Sequence, residues 1–344
     1  MQNIAETDLV IVGGGPAGCA AAIAARSYGL SVALFERDAA PTLRPGEAVH
    51  PGIEPLLIRL GVMQAVQKVG FLRYEGHWVK WGGEPLRFMP FGKDAQGRWQ
   101  GFQLWRPEFD AILIDGASRS QAMIMRPRGE LRPIIDGNRV AGVETLQSVW
   151  RSSFVIDATG RQRWLARALN LGIRQHGPRR VAWYNYSEGE CPGVDLKSPI
   201  IVSDAKGWTW MARVRPNVYQ WVRLLLAGTR LSIGWQPAEF DGLSPLGQRR
   251  GADVTSIIAD PVAGPGYFLA GDAASIADPL SAHGILKALM SGMKAAYHAA
   301  SVLRYGETPP AAASDYNVWL QRWFRHDGAH LAGFYRQIGA ANVL

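Results

Sequence analysis

The segment from residue 271 to 285, GDAASIADPLSAHGI, has the groups needed to bind a ligand that gains negative charge. An apolar run, Tyr267 to Ala270, leads into Gly271 and Asp272, and an Ala-, Leu- and Met-rich helix is predicted from about Gly284 to Leu303. A glycine lets the backbone approach a ligand closely, and an Asp at a strand end can hold a sugar or polyol hydroxyl. The free N–H groups at a helix start favour an anion, such as a reduced flavin.

The N-terminal residues predict a second part of the same kind of site. The apolar run from 8 to 12 is typical of a buried parallel strand, and it leads into Gly-Gly-Gly-Pro-Ala-Gly at 13 to 18. An Ala-rich helix is predicted from 19 to about 28, followed by a strand from 31 to 35 that ends in an acid. The order strand, glycines, helix, strand and acid indicates a dinucleotide-binding unit rather than a structural glycine-rich turn.

Each residue of this fingerprint has an expected role. Gly13 permits the tight turn, Gly15 lets the backbone meet a pyrophosphate, and Gly18 lets the helix pack on the strand. Glu36 is placed to bind ribose hydroxyls.

Composition places limits on the class of protein. The chain has 344 residues, a net charge of +8 and 13 Trp. Its arginines are scattered and no apolar run reaches the ~20 residues of a membrane span, so we expect neither a nucleic-acid nor a membrane partner. The chain has two cysteines, Cys19 and Cys191, so we expect no disulfide framework. Its first residues lack a secretory pattern, and together these features predict a cytoplasmic protein. No Cys or His cluster has metal-ligand spacing.

The alternation of α/β and β-rich segments predicts a discontinuous nucleotide-binding domain interrupted by a β-sheet substrate domain. Several tryptophans of the middle segment are candidates to line a pocket for a flat aromatic substrate. A stripe of aromatic residues in the C-terminal segment is expected to pack on the body of the protein. The predicted boundaries are 1–74, 101–175 and 255–305 for the nucleotide-binding domain, 75–100 and 176–254 for the substrate domain, and 306–344 for a C-terminal helical segment.

Five motifs in order resemble the superfamily of FAD-dependent aromatic hydroxylases and flavin-dependent halogenases, which has the p-hydroxybenzoate hydroxylase-like fold. They are GGGPAG with Glu36, RPGE at 44–47, WRPEFD at 105–110, DATG at 157–160, and the segment 271–285. The resemblance implies an α/β fold: a Rossmann-type FAD-binding domain of three layers (ββα), a β-sheet substrate domain and C-terminal helices.

The resemblance also implies roles for residues. Asp272 would hydrogen-bond the ribityl chain, and Arg106 would lie along the FAD, with an ordinary surface arginine as the alternative. Pro279, Gly284 and Ile285 would meet the pyrimidine edge of the flavin. The full cofactor set is Gly13, Gly15, Ala17, Gly18, Glu36, Arg37, Arg44, Gly46, Arg106, Asp272, Pro279, Gly284 and Ile285. Glu47, His50 and His283 are the candidates for an acid or base; for His283, capping or packing at the helix start is an equally weighted alternative.

For activity, the resemblance implies hydroxylation of an indole- or tryptophan-like ring with O2 through a flavin C4a-hydroperoxide. No second glycine-rich fingerprint occurs, so electrons would come from transiently bound NAD(P)H or a separate flavin reductase. Halogenation ranks lower, because Arg73 stands where tryptophan halogenases carry a lysine, and Lys68 and Lys80 are out of register. A geranylgeranyl-reductase-type activity is a further alternative. The substrate would be a small molecule or, as in tryptophylquinone biogenesis, a tryptophan of a partner protein.

Overall fold

The computed structural model describes residues 3–40, 42–46, 48–127, 129–190, 196–226 and 230–337. Cys191 and Glu47 therefore lie outside the described residues. The α-helices among the described residues are α1 Pro16–Ser27, α2 Glu54–Arg59, α3 Met63–Val69, α4 Arg106–Arg119, α5 Trp164–Ala168, α6 Gly284–Tyr305 and α7 Pro309–Gln337. Single 3₁₀ turns occur at Pro51–Ile53, Gly160–Gln162, Ala238–Phe240, Gly271–Ala273 and Pro279–Ser281.

Many short strands connect these helices. In chain order they are β1 Asn3–Val12, β2 Val32–Phe35, β3 Ala48–Val49, β4 Leu72–Tyr74, β5 Gly76–Lys80, β6 Arg87–Pro90, β7 Lys93–Asp94, β8 Gly97–Arg98, β9 Gly101–Gln103, β10 Met123–Met125, β11 Arg132–Asp136, β12 Arg139–Glu144, β13 Ser148–Asp157, β14 Gly172–His176, β15 Val181–Glu188, β16 Ile200–Asp204, β17 Gly207–Arg215, β18 Val218–Leu225, β19 Ser244–Pro245, β20 Arg250–Asp253, β21 Ser256–Asp260, β22 Ala263–Gly264, β23 Tyr267–Leu269 and β24 Ser275–Ile276.

The first large sheet has the order β10-β2-β1-β13-β12-β11, with β23 parallel to β13 and β22 beside β23. Strands β10, β2, β1, β13 and β23 run parallel, while β11 and β12 form an antiparallel hairpin that turns at residues 137–138. The carboxyl ends of β1, β13 and β23 therefore meet at one edge, where Gly13, Ala158 and Gly271 follow them. Ligands of open α/β sheets bind at this edge.

Small residues bring helices from the two ends of the chain together on this sheet. Helix α1 begins at Pro16, three residues earlier than predicted, because proline is favoured at a helix start. Its alanines are buried against α6. A Cβ built on Gly292 of α6 would lie 2.1 Å from the carbonyl oxygen of Ala17. Only glycine at this position permits so close a helix contact.

The second large sheet forms the β-rich middle segment, with the order β19-β15-β18-β17-β16-β5-β6 and β20 paired to β15. Residues alternate between its two faces. On one face Trp208 and Leu224 pack against Leu331 and Tyr335 of α7, and on the other face Trp221 packs with its neighbours. Smaller sheets are β14-β21-β24, β3-β9-β4 and β7-β8.

Helix α7 packs on the body of the protein, as the aromatic stripe predicts. Phe324, Leu331 and Tyr335 are buried, whereas Phe334 of the same stripe is 38% exposed. The Tyr335 hydroxyl donates to Asp278 at 2.6 Å and accepts from the Trp208 indole at 2.9 Å. No helix in the described ranges has the length and apolar character of a membrane span. The predicted domain boundaries stay a prediction.

Candidate active site

A cavity of about 1740 Å³ joins the edge of the first sheet to one face of the second sheet. Sites for a single small molecule are typically ~300–1,000 Å³. The cavity therefore has room for a dinucleotide and a second, smaller ligand. Every cofactor residue predicted from the sequence lines it except Gly18, which lies behind its wall.

The glycines of the fingerprint form one end of the cavity. Gly13 has φ +105°, and a Cβ there would lie 2.4 Å from the carbonyl oxygen of Ala158. A Cβ on Gly18 would meet the carbonyl oxygen of Gly13 at 1.8 Å, so Gly18 permits the strand–helix packing. Gly15 faces open space, and no side chain caps the start of α1 beside it. The uncapped helix start and the open glycine suit an anionic pyrophosphate.

Glu36 and the two arginines near it line the same end. The Glu36 carboxylate accepts hydrogen bonds from the backbone N–H groups of Gly14 and Asp38, at 2.5 and 2.8 Å, so it fastens the turn as well as facing the cavity. The side chains of Arg37 and Arg44 are 70% and 51% exposed, and both lie near Asp38. Both arginines pair with Asp38 and line the cavity, so they put positive charge at this end of it.

Arg106 is buried, only 7% exposed, so the alternative of a surface arginine is wrong. Its guanidinium donates to both carboxylate oxygens of Asp110, at 2.9 and 3.2 Å, and to the carbonyl oxygen of Pro45 at 2.9 Å. Gly46 has φ +113°, and a Cβ there would lie 3.2 Å from Arg106 and 3.8 Å from Ile285. Arg106 therefore holds the loop at 45–46 against the start of α6.

The segment 271–285 lies at the centre of the cavity. Gly271 turns with φ +60°, and the Asp272 side chain is 42% exposed toward the cavity, 3.6 Å from Arg161. Pro279 begins a 3₁₀ turn, and Gly284, the first residue of α6, has open space where a Cβ would lie. This uncapped start of α6 is the second helix N-terminus that faces the cavity. These observations fit a bound FAD, although its individual contacts stay predictions.

His283 precedes α6 but does not cap it. Instead, its Nδ1 lies 3.1 Å from Oδ1 of Asp327, which α7 brings to the cavity. The other carboxylate oxygen of Asp327 is 3.7 Å from Nζ of Lys287. Burial raises the pKa of Asp327, but the hydrogen bond from His283 and the Lys287 charge outweigh it and hold that pKa below its usual range.

The imidazole rings of His50 and His77 both contact the ring of Phe91, and His50 also lies near His283. Nδ1 of His50 accepts a hydrogen bond from the backbone N–H of Gly52 at 3.0 Å. Burial, and then the charge of His283, lower the pKa of His50. Burial, and then the charge of His50, lower the pKa of His77 to about 4. The third predicted acid–base candidate, Glu47, lies outside the described residues.

The opposite wall of the cavity is aromatic. Tyr184 and Trp210, on β15 and β17, line the cavity from one face of the second sheet, whereas Trp208 of the same face is only 1% exposed because it packs against Tyr335. A flat, electron-rich ring can stack on such side chains. Arg73 lies outside this wall: it pairs with Glu54 and stacks 3.9 Å from the ring of Phe102. Lys287 is the one lysine among the described residues that lines the cavity.

Sequence reasoning missed four residues of this site. Asp327 and Lys287 were not singled out, because each lies inside a helix whose apolar pattern predicts packing. Arg161 follows the DATG motif directly, and its charge next to a ligand loop was the available signal. Gly292 was hidden in an Ala-rich helix. No group of His, Cys, Asp and Glu able to hold a metal ion occurs in the described ranges.

Comparisons with known proteins agree with this geometry. Residues 8–111 match the model of the tryptophan halogenase family. The chain is 29% identical to tryptophan 2-halogenase of Chondromyces crocatus over 97% of this chain and 69% of that protein. Its fold is similar to the myxobacterial chondrochloren halogenase CndH, with a TM-score of 0.87, 20% identity, and coverage of 99% of this chain and 86% of that one. It is also similar to QhpG, a peptidyl tryptophan dihydroxylase essential for tryptophylquinone cofactor biogenesis, with a TM-score of 0.74, 23% identity, and coverage of 98% and 76%.

The fold and the site therefore define a FAD-dependent oxidoreductase, with the α/β architecture predicted from the motifs. Within that class, the predicted resemblance to the superfamily of flavin-dependent halogenases and FAD-dependent aromatic hydroxylases is confirmed. The ranking of activities changes, however. The comparisons favour the halogenase alternative over the hydroxylase interpretation that ranked first from the sequence.

Proposed function

We propose that this protein halogenates an electron-rich aromatic ring, of the indole or tryptophan type, using reduced FAD, O2 and a halide. The observation that carries the proposal is that one cavity is lined both by the fingerprint glycines Gly13 and Gly15 and by the aromatic side chains of Tyr184 and Trp210. The family-model match over residues 8–111 and the 29% identity to a tryptophan 2-halogenase support halogenation over other flavin chemistry.

Reduced FAD, when bound, would donate electrons to O2, and the oxygen activated in this way would oxidise a halide to an electrophile. The protein's own residues would do the rest. The uncapped starts of α1 and α6 would hold the negative charges of the cofactor. The loop held by Arg106 would fix the flavin edge, and the aromatic wall would orient the substrate ring and exclude water. Electrons would reach the FAD from a separate flavin reductase or from transiently bound NAD(P)H.

The test is product analysis with the purified protein, reduced FAD, O2 and bromide, using indole, tryptophan and tryptophan-containing peptides. Halogenation predicts a product with the mass and paired isotope pattern of one bromine. Gly15→Val serves as the matched control, because its side chain would enter the space left for the pyrophosphate. Bromination by the wild type that Gly15→Val loses would support the proposal, and a wild type that forms no brominated product would contradict it.

Hydroxylation of the same class of ring is the second candidate, and one observation favours it. Arg73, which stands where tryptophan halogenases carry a lysine, is paired with Glu54 outside the cavity. An arginine is a poor substitute for a lysine that must exchange a proton or form an adduct. A gain of oxygen mass that does not depend on bromide would identify this activity. The same assay with candidate partner proteins would detect a protein-bound tryptophan as the substrate.

A further inference from the structure

The cavity contains a histidine–carboxylate pair that bridges two distant parts of the chain. His283 stands at the start of α6, where the resemblance expects the flavin edge, and Asp327 comes from the middle of α7. Nδ1 of His283 lies 3.1 Å from Oδ1 of Asp327. The Asp327 side chain is 1% exposed, whereas that of His283 is 30% exposed toward the cavity. The carboxylate is therefore almost fully covered, and the imidazole meets the ligand space.

The surroundings of Asp327 fix the direction of this hydrogen bond. Lys287 lies 3.7 Å from the second carboxylate oxygen, and its charge helps to hold the pKa of Asp327 below its usual range, so this carboxyl group is ionised at neutral pH. An ionised carboxylate only accepts hydrogen bonds. Nδ1 of neutral His283 must therefore carry the proton, which leaves Nε2 as a bare acceptor. A buried carboxylate that selects this tautomer is the arrangement that makes an imidazole a general base.

We propose that His283 is the general base of the aromatic substitution and that Asp327 is the residue that positions it. The inference rests on the proposed function. When the electrophilic halogen adds to the ring, a C–X bond forms and the ring carries a positive charge. Nε2 of His283 then takes the proton from the substituted ring carbon, and the electron pair of the broken C–H bond restores the aromatic ring. The resulting imidazolium is stabilised by the Asp327 carboxylate.

A packing role for His283 predicts different behaviour from a base. The imidazole contacts Trp323 edge-on, with ring centroids 6.3 Å apart, so a purely structural histidine would stabilise the junction of α6 and α7. Loss of such a residue would reduce stability and FAD affinity together with the rate. Loss of a base would reduce product formation while reduced FAD is still bound and still oxidised by O2.

The experiment compares His283→Asn and Asp327→Asn with His176→Asn as the matched control. His176 also contacts α7, through Phe324 at 4.8 Å between ring centroids, but it does not line the large cavity. The measurements are bromotryptophan formed per FAD oxidised, the FAD dissociation constant, and the tautomer of His283 read by nitrogen NMR of labelled histidine. The NMR measurement requires no turnover.

The base role predicts that product formation falls by at least ~10²-fold in His283→Asn and Asp327→Asn, while FAD affinity and oxidation are kept. His176→Asn should match the wild type. The wild-type spectrum should show the Nδ1–H tautomer, and Asp327→Asn should lose it. Unchanged product formation in His283→Asn, an equal loss of FAD affinity, or an Nε2–H tautomer in the wild type would overturn the inference.

The tautomer of His283 is a readout that does not depend on the proposed function. A wild type with the Nδ1–H tautomer that brominates no aromatic substrate would overturn the proposed function, and with it the base role, but not the histidine–carboxylate pair.

Discussion

The contact between α1 and α6 gives a sharp test of how the cofactor site is built. Gly292 of α6 lies against the backbone of Ala17, the second residue of α1. A Cβ built on Gly292 would lie 2.1 Å from the Ala17 oxygen and 2.9 Å from its carbonyl carbon. Both atoms belong to the backbone, so no side chain can rotate away. The substitution Gly292→Ala must therefore push the start of α1 away from α6.

The magnitude follows from two opposing effects. Alanine in a helix interior gains ~0.5–1 kcal/mol over glycine. Overpacking of a rigid contact costs ~1–3 kcal/mol. Gly333 of α7 provides the control, because a Cβ there meets no atom within 4 Å. We expect Gly333→Ala to be stabilised by ~0.5–1 kcal/mol and Gly292→Ala to be destabilised by ~1–2 kcal/mol.

The assay is urea unfolding of both variants, with FAD affinity measured alongside. Gly292→Ala should also bind FAD more weakly, because Ala17 and the open space at Gly15 belong to the same turn. Gly333→Ala should bind FAD like the wild type. A Gly292→Ala variant that is as stable as Gly333→Ala, or that loses stability while its FAD affinity is unchanged, would contradict this expectation.

Three further predictions concern the cavity wall, the cradle and the buried ion pair. Burial, and then the charge of His50, lower the pKa of His77 to about 4 in the folded protein, so the free energy of unfolding decreases as the pH falls from ~6.5 toward 4. At pH 5 this loss is ~1–2 kcal/mol. The variant His77→Gln should remove the loss when urea unfolding at pH 7 is compared with urea unfolding at pH 5. A side chain at position 15 would enter open space, so Gly15→Val should be as stable as the wild type. Its FAD dissociation constant, measured by fluorescence titration, should rise at least tenfold, which is a loss of ~1.4 kcal/mol of binding free energy. Arg106→Met leaves the carboxylate of Asp110 buried and unpaired and should cost ~3–5 kcal/mol, whereas the double variant with Asp110→Leu should recover most of that loss. The first expectation would be contradicted if the stability of His77→Gln and of the wild type changed equally with pH, and the second if Gly15→Val bound FAD like the wild type. The third would be contradicted if the losses of Arg106→Met and Asp110→Leu were additive in the double variant.

The first sheet and its ligand edge were predictable because their signals are local. A buried strand, three glycines and an Ala-rich helix follow one another within about 30 residues, and each requirement is visible in the residue types. The start of α6 was predicted correctly for the same reason. Gly13 and Gly18 also have the close contacts that their predicted roles require.

The residues that the sequence did not reveal depend on contacts between distant segments. Asp327 is 44 positions from His283, and the apolar pattern of α7 indicates only a packing face. Gly292 matters because the first and sixth helices meet, which no local pattern encodes. Glu36 has more partners than expected, because the backbone N–H of Gly14, in the turn after β1, and that of Asp38, just after β2, both donate to its carboxylate.

Halogenation is tested most directly by the mass spectrum of the product that the wild type forms from tryptophan, reduced FAD, isotopically heavy dioxygen and bromide. Halogenation in the cavity predicts one bromine on the ring and no heavy oxygen in the product. A product that contains heavy oxygen and no bromine, with or without bromide in the assay, would contradict it.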